Sequence, residues 1–123
     1  MICFSLNSGS NGNCIYVESD GVRLLLDAGI SGKRTAERLA EQGRDVRDVD
    51  AVIISHDHID HIRCAGILAR KFGLAVYMTP QTHRRGRRYN LGRIEALRYF
   101  QAGDTLRFGG CLLYTSPSPR DRS

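Results

Sequence analysis

The sequence predicts an α/β fold, and three observations predict it. Short apolar runs rich in β-formers alternate with amphipathic stretches of helical period. Two of those runs, Leu24-Leu25-Leu26 and Ala51-Val52-Ile53-Ile54, are apolar without alternation, as in strands covered on both faces. A chain of 123 residues, 41% hydrophobic and 25% charged, has room for one globular domain and is neither disordered nor fibrous.

Residues 2–6 and 14–18 read as strands. Between them Asn7-Ser8-Gly9-Ser10-Asn11-Gly12-Asn13 is turn chemistry throughout, able to supply positive φ and exposed backbone N–H groups. Asp20-Gly21 is a two-residue hairpin signal leading into a strand over 22–26, so the chain opens as an antiparallel meander. Ser31 offers an N-cap for a helix over 33–42, with Ala36, Leu39 and Ala40 on its inner side and Gly43 past its end. A polar connection over 45–50 leads to the buried strand over 51–54. A second helix over 60–72 carries Ile62, Ala65, Ile67, Leu68 and Phe72, sets Arg70 and Lys71 at the negative end of its dipole, and stops at Gly73. Residues 75–78 form another short buried strand, and Thr79-Pro80 opens a third helical stretch. Residues 99–100 and 105–108 read as two more strands, linked by Ala102-Gly103-Asp104. Residues 115–123 lack any large apolar side chain and hold two of the three prolines. The expected boundary is therefore at 110, with 111–123 a disordered or non-native tail that also resembles translated adapter sequence.

The net charge of +5 is uneven: residues 1–80 sum to −1 and residues 81–123 to +6. Six Arg fall between positions 84 and 98 against Glu95 alone, a density that attracts polyanions by counterion release. Arg84, Arg85, Arg87 and Arg88 are the candidate nucleic-acid contacts; a solvated helix face explains them equally well. No apolar run approaches the ~20 residues of a membrane helix, and the N-terminus MICFSLNSGS has no basic segment ahead of an apolar one. The expectation is a cytoplasmic protein without a membrane partner. The four cysteines, Cys3, Cys14, Cys64 and Cys111, form no C-x-x-C pair and no disulfide framework. Cys3 and Cys14 read as small buried hydrophobes on strands.

Three of the four histidines fall within six residues as H-x-H-x-D-H: His56, His58, Asp60 and His61. Composition alone produces such a window roughly 3 times in 10,000 chains of this kind, so the match is a signal. It stands where a buried strand ends and a helix begins, the place where open α/β sheets carry their sites. Neutral imidazole and carboxylate are ligands that Zn²⁺, Mn²⁺ or Fe accept. His56 and His58 can converge on one ion, while the adjacent Asp60 and His61 point elsewhere and can hold a second. Two such ions can acidify a shared water and clamp both oxygens of an ester or phosphodiester. A surface histidine cluster without metal is the plain alternative; a closed structural zinc site calls for paired cysteines that the chain lacks.

The string from Ile54 to Ile62, ISHDHIDHI, resembles the metal-binding motif of the metallo-β-lactamase fold, and Leu26-Asp27-Ala28-Gly29 resembles its first motif. With the opening from Asn7 to Cys14 and the stretch from Asp27 to Lys33, the chain is similar to a bacterial exonuclease subgroup encoded beside a cell-wall two-component system. This resemblance implies a four-layer αβ/βα sandwich with two divalent ions, Zn²⁺ first and Mn²⁺ or Fe as alternatives. It assigns His56 and His58 to one ion and Asp60 and His61 to the other, with Asp60 also catalytic and Asp27 orienting a ligand. The family supplies a further His, Asp and His later in the chain. After His61 only His83 remains, in the basic stretch, where it reads as a solvent-facing helix residue. The resemblance therefore covers residues 1–110 as the N-terminal part of the domain.

The function implied is metal-dependent hydrolysis of phosphodiester bonds in nucleic acid, DNA in particular, by an exonuclease. The alternative keeps the chemistry and takes a small ester, thioester or cyclic phosphate. A third possibility is that the 123 residues are an inactive fragment whose sheet face at 24–26 and 51–54 lies open to solvent.

Overall fold

The computed structural model describes residues 1–6, 14–54, 62–89, 91–101, 103–109 and 111–114. Strands β1 (Ile2–Ser5), β2 (Ile15–Ser19) and β3 (Val22–Leu26) form the antiparallel meander, with Ile2 opposite Glu18 and Val17 opposite Leu24. Its hairpin turns on Asp20 and Gly21 at φ 51° and 79°, the left-handed pair that a two-residue turn demands. Beyond β3 the sheet becomes parallel. Strands β4 (Ala51–Ile53), β5 (Ala75–Met78) and β6 (Leu97–Tyr99) follow in order, each reached through a crossover. The last hairpin, β7 (Thr105–Phe108) with β8 (Cys111–Tyr114), forms a separate two-stranded sheet.

Helices α1 (Gly32–Glu41), α2 (Ile62–Phe72) and α3 (Pro80–Gly86) supply the crossovers. The Ser31 hydroxyl accepts from the Arg34 N–H at 3.2 Å and starts α1; Thr79 caps α3, with Pro80 in its first turn. Within the expected polar connection, Asp45 caps a 3₁₀ turn at Val46–Asp48. Thus α1 begins one residue earlier than its spacing predicts, and β6 begins two residues before the aromatic pair that predicted it and ends on Tyr99.

Alternation along β3 and β4 divides the core in two. Leu25, Val52 and Val76 point to the helical side, where they meet Leu39 of α1 and Ile62, Ala65 and Leu68 of α2. Leu24, Ala51 and Ile53 point to the other side, together with Phe100, and meet Leu106, Phe108 and Leu113 of the β7–β8 hairpin. The Tyr77 and Phe108 rings pack edge to face at 5.1 Å. The described residues thus hold three of the four layers: helices, the larger sheet, and two strands of a second sheet.

Two expectations are corrected here. The face at Leu24 and Ala51 is not open to solvent, since the hairpin leaves them 2% and 1% exposed. The second strand of that hairpin is Cys111–Tyr114, and residues 115–123 lie outside the described residues. Cys14 is buried as expected, but Cys3 is exposed. Cys3 lies on the edge strand, and alternation sets it opposite in face to Phe4, which packs on Tyr16 with ring centroids 5.0 Å apart.

Candidate metal centre

The parallel strands β3, β4 and β5 end side by side, and the residues that could ligate metal follow those ends. Asp27 comes directly after β3 at φ 63°, a left-handed conformation that Asp tolerates better than most side chains. Its N–H donates to the Ile53 carbonyl at 2.8 Å, extending the β3–β4 pairing by one bond. On the other side of β4, the Ile54 N–H donates to the Tyr77 carbonyl at 2.8 Å. Both flanks of β4 are therefore tied where the histidine motif begins.

His56, His58, Asp60 and His61 lie in 55–61, outside the described residues. The residues on either side are buried: Ile54 is 2% exposed and Ile62, the first residue of α2, is 1% exposed. The motif thus spans a seven-residue connection between the end of a central strand and the start of a helix packed on that strand. Among the described residues, no group of three or more His, Cys, Asp or Glu is arranged to hold a metal. The donor chemistry of the connection, three imidazoles and a carboxylate with Asp27 at the next strand end, suits a divalent cation of zinc type.

Beside Asp27 lies a polar pair that the sequence pattern does not announce. Cys14 and Thr35 are both fully buried and near one another, and the Thr35 hydroxyl donates to the Ser31 carbonyl at 2.9 Å. Burial, then the negative charge of Asp27, pushes the Cys14 thiol up to about 12, so it stays protonated at neutral pH. The available signal for Thr35 was its spacing, four residues after the N-cap and on the same helix face as Leu39.

Arg84 and Arg85 are exposed on α3, and Arg87 and Arg88 on the 3₁₀ turn that follows it. His83 differs from expectation, being half-buried instead of solvent-facing. Its Nδ1 shares a 2.7 Å hydrogen bond with the Tyr99 hydroxyl, and burial, then the Arg87 charge, lowers its pKa. Nothing in the local sequence pairs two residues sixteen positions apart.

Comparison with known proteins follows the same lines. The chain is 42% identical over 108 residues to Exodeoxyribonuclease WalJ of Streptococcus pneumoniae serotype 2, covering 85% of this chain and 40% of that protein. It is 44% identical over 77 residues to Exodeoxyribonuclease YycJ of Bacillus anthracis, covering 63% and 29%. It therefore spans at most about two fifths of the length of these relatives. Among solved structures, the subclass B3 metallo-beta-lactamase MEM-A1 from a soil metagenome library superposes with a TM-score of 0.71 at 20% identity. That match covers 89% of this chain and 47% of the other, and at such identity it speaks to fold alone. Residues 8–110, which include Asp27 and the whole histidine motif, match the family model of the metallo-beta-lactamase superfamily, and the chain belongs to that superfamily.

Proposed function

We propose that this chain is the metal-motif part of an exodeoxyribonuclease, a hydrolase that removes nucleotides from DNA in the cytoplasm. The observation that carries this reading is the 42% identity over 108 residues to an exodeoxyribonuclease, a span that takes in the strand ends on both sides of the motif. In this reading His56 and His58 hold one divalent cation and Asp60 and His61 a second, zinc being the first choice for imidazole and carboxylate donors. When bound, the cations supply positive charge against the phosphodiester and acidify the attacking water. Asp60 contacts the reacting group. Asp27, anchored by its N–H to Ile53, orients a ligand from the neighbouring strand end. Arg84, Arg85, Arg87 and Arg88 track the phosphates, which positions a substrate without reading its bases. Residues 1–110 contribute this half of the centre, and the remaining ligands come from a longer protein.

The test is to read the source gene through codon 110, express the resulting frame, and measure metal content by mass spectrometry beside hydrolysis of end-labelled linear DNA. The expected result is bound divalent metal and stepwise loss of nucleotides. His58→Ala should lose metal and slow hydrolysis at least a hundredfold. Cleavage of a small chromogenic phosphodiester with DNA left intact would favour a small-molecule substrate. A frame without stoichiometric metal would overturn the hydrolase reading.

A further inference from the structure

Tyr99 closes β6, the last strand of the six-stranded sheet, in register with Met78 at the carboxyl end of β5. Leu97 packs into the helix-side core, so alternation sets Tyr99 on that same side. There His83 of α3 meets it, the hydroxyl held at 2.7 Å and the ring centroids 5.6 Å apart at 52°. The tyrosine is nonetheless 53% exposed. It is one of very few large hydrophobic side chains exposed among the described residues, and the one that is aromatic. Its backbone is fixed by strand pairing and its hydroxyl by His83, so little side-chain entropy is left to lose when a ligand packs on the ring.

Positive charge lies beside His83, where Arg87 acts on the imidazole. Arg84 and Arg87 follow His83 on α3 and the 3₁₀ turn, and both are exposed. An immobilised aromatic ring among exposed arginines is the composition by which proteins hold single-stranded nucleic acid, bases on the ring and phosphates on the cations. A paired base has both faces covered by its neighbours, so the ring selects an unpaired one. Strands β4, β5 and β6 run parallel, which places Tyr99 at the same end of the sheet as Ile53, the last residue of β4, two strands away. At the usual strand spacing that is about 10 Å, a distance that neighbouring nucleotides of one strand can cover.

We propose that Tyr99, held by His83, is a stacking platform for an unpaired base next to the strand end, with Arg84 and Arg87 taking the adjoining phosphates. The proposal deepens the nuclease reading and rests on it. It makes a single-stranded or frayed end the form of substrate that this site takes.

The test compares two fluorescent phosphorothioate 12-mers of equal charge, oligothymidine and its abasic counterpart, binding to the 123-residue chain by anisotropy at 50 and 200 mM NaCl. Stacking is worth about 1–3 kcal/mol per base, so oligothymidine should bind about 5- to 150-fold more tightly. Tyr99→Leu should abolish that preference and leave the abasic affinity unchanged, and Tyr99→Phe, which keeps the ring, should retain most of it. The wild-type comparison needs no variant, so misfolding cannot mask the result. Equal binding of both oligomers with a normal salt dependence would overturn the platform while sparing the nucleic-acid reading. So would a preference that survives in Tyr99→Leu. Failure of both oligomers to bind at 50 mM NaCl would overturn the nucleic-acid reading and the platform with it.

Discussion

Gly66 stands on the buried face of α2, where the segment leading into β6 crosses closest to the helix. A Cβ placed there would lie 2.2 Å from the Leu91 carbonyl oxygen and 3.2 Å from its carbon. To reach even 3.0 Å the backbone at Leu91 must retreat about 0.8 Å, in an interior packed as densely as a crystal. That backbone has little freedom, because Arg70 Nη1 donates to the Leu91 and Arg93 carbonyls at 3.0 and 2.9 Å. Overpacking of this kind costs about 1–3 kcal/mol, and loosening a charge-assisted hydrogen bond adds about 1. Alanine's better helix propensity returns about 1 kcal/mol. Gly66→Ala should therefore destabilise by about 1–3 kcal/mol, which lowers Tm by on the order of 5–20 °C in a domain of this size. Gly32→Ala is the matched control. It too is a helical glycine, yet its added Cβ meets nothing nearer than Leu68 Cδ1 at 3.6 Å, an ordinary contact. Its stability should hold or rise by up to about 1 kcal/mol. Parallel thermal and urea melts followed by far-ultraviolet circular dichroism decide the matter. Gly66→Ala melting at or above the wild type, or Gly32→Ala falling equally far, would refute the close-approach argument.

Three further outcomes are expected. At pH 8 the Cys14 thiolate fraction is about a thousandfold below that of a thiol titrating at 9.0, so alkylation followed by peptide mass spectrometry should label exposed Cys3 and spare Cys14; equal rates would contradict its burial. Because the folded thiol titrates at about 12 and the unfolded at 9.0, the stability from keeping Cys14 protonated is complete below pH 9 and is lost as pH rises toward 12. Phe108→Ala removes the ring that packs on Tyr77 at 5.1 Å; for a half-buried phenylalanine the cost should be about 1.5–3 kcal/mol, with increased binding of a hydrophobic dye as the face at Leu24 and Ala51 opens. An unchanged melt and dye signal would mean that the hairpin does not cover that face.

Much of this architecture was legible where local chemistry punctuates the chain. Strands at 22–26, 75–78 and 105–108 have the predicted bounds because Asp20-Gly21, Gly73, Thr79-Pro80, Gly103-Asp104 and Gly109 mark where regular structure stops. The edge strand β6 was displaced because Tyr99-Phe100 has strong strand propensity, whereas pairing with β5, including the Val76 N–H to Ala96 carbonyl bond at 2.9 Å, selects residues 97–99. Cys111–Tyr114 are strand by virtue of their partner, from Phe108 opposite Cys111 to Thr105 opposite Tyr114, a pairing that composition does not announce. Cys3 reads as buried from its neighbours and is exposed because it lies at an edge. At the candidate centre, the spacing of the histidines and the strand-terminal Asp27 were visible in one dimension. The Cys14–Thr35 pair and the His83–Tyr99 contact arise only when distant elements meet.

The change of pairing at β3 also orders events in time. Strands β1 to β3 pair through a loop and a two-residue turn, so the first 26 residues can find their partners while later residues are still being synthesised. The β4 strand joins only after α1 has closed its crossover, and β5 and β6 each wait for another helix. Loop closure over such separations is the slow part of assembling a parallel sheet. The histidine motif lies on the seam between these two regimes, just past the first parallel strand. The strand that leads into that motif is therefore the first to be added to a meander already in place.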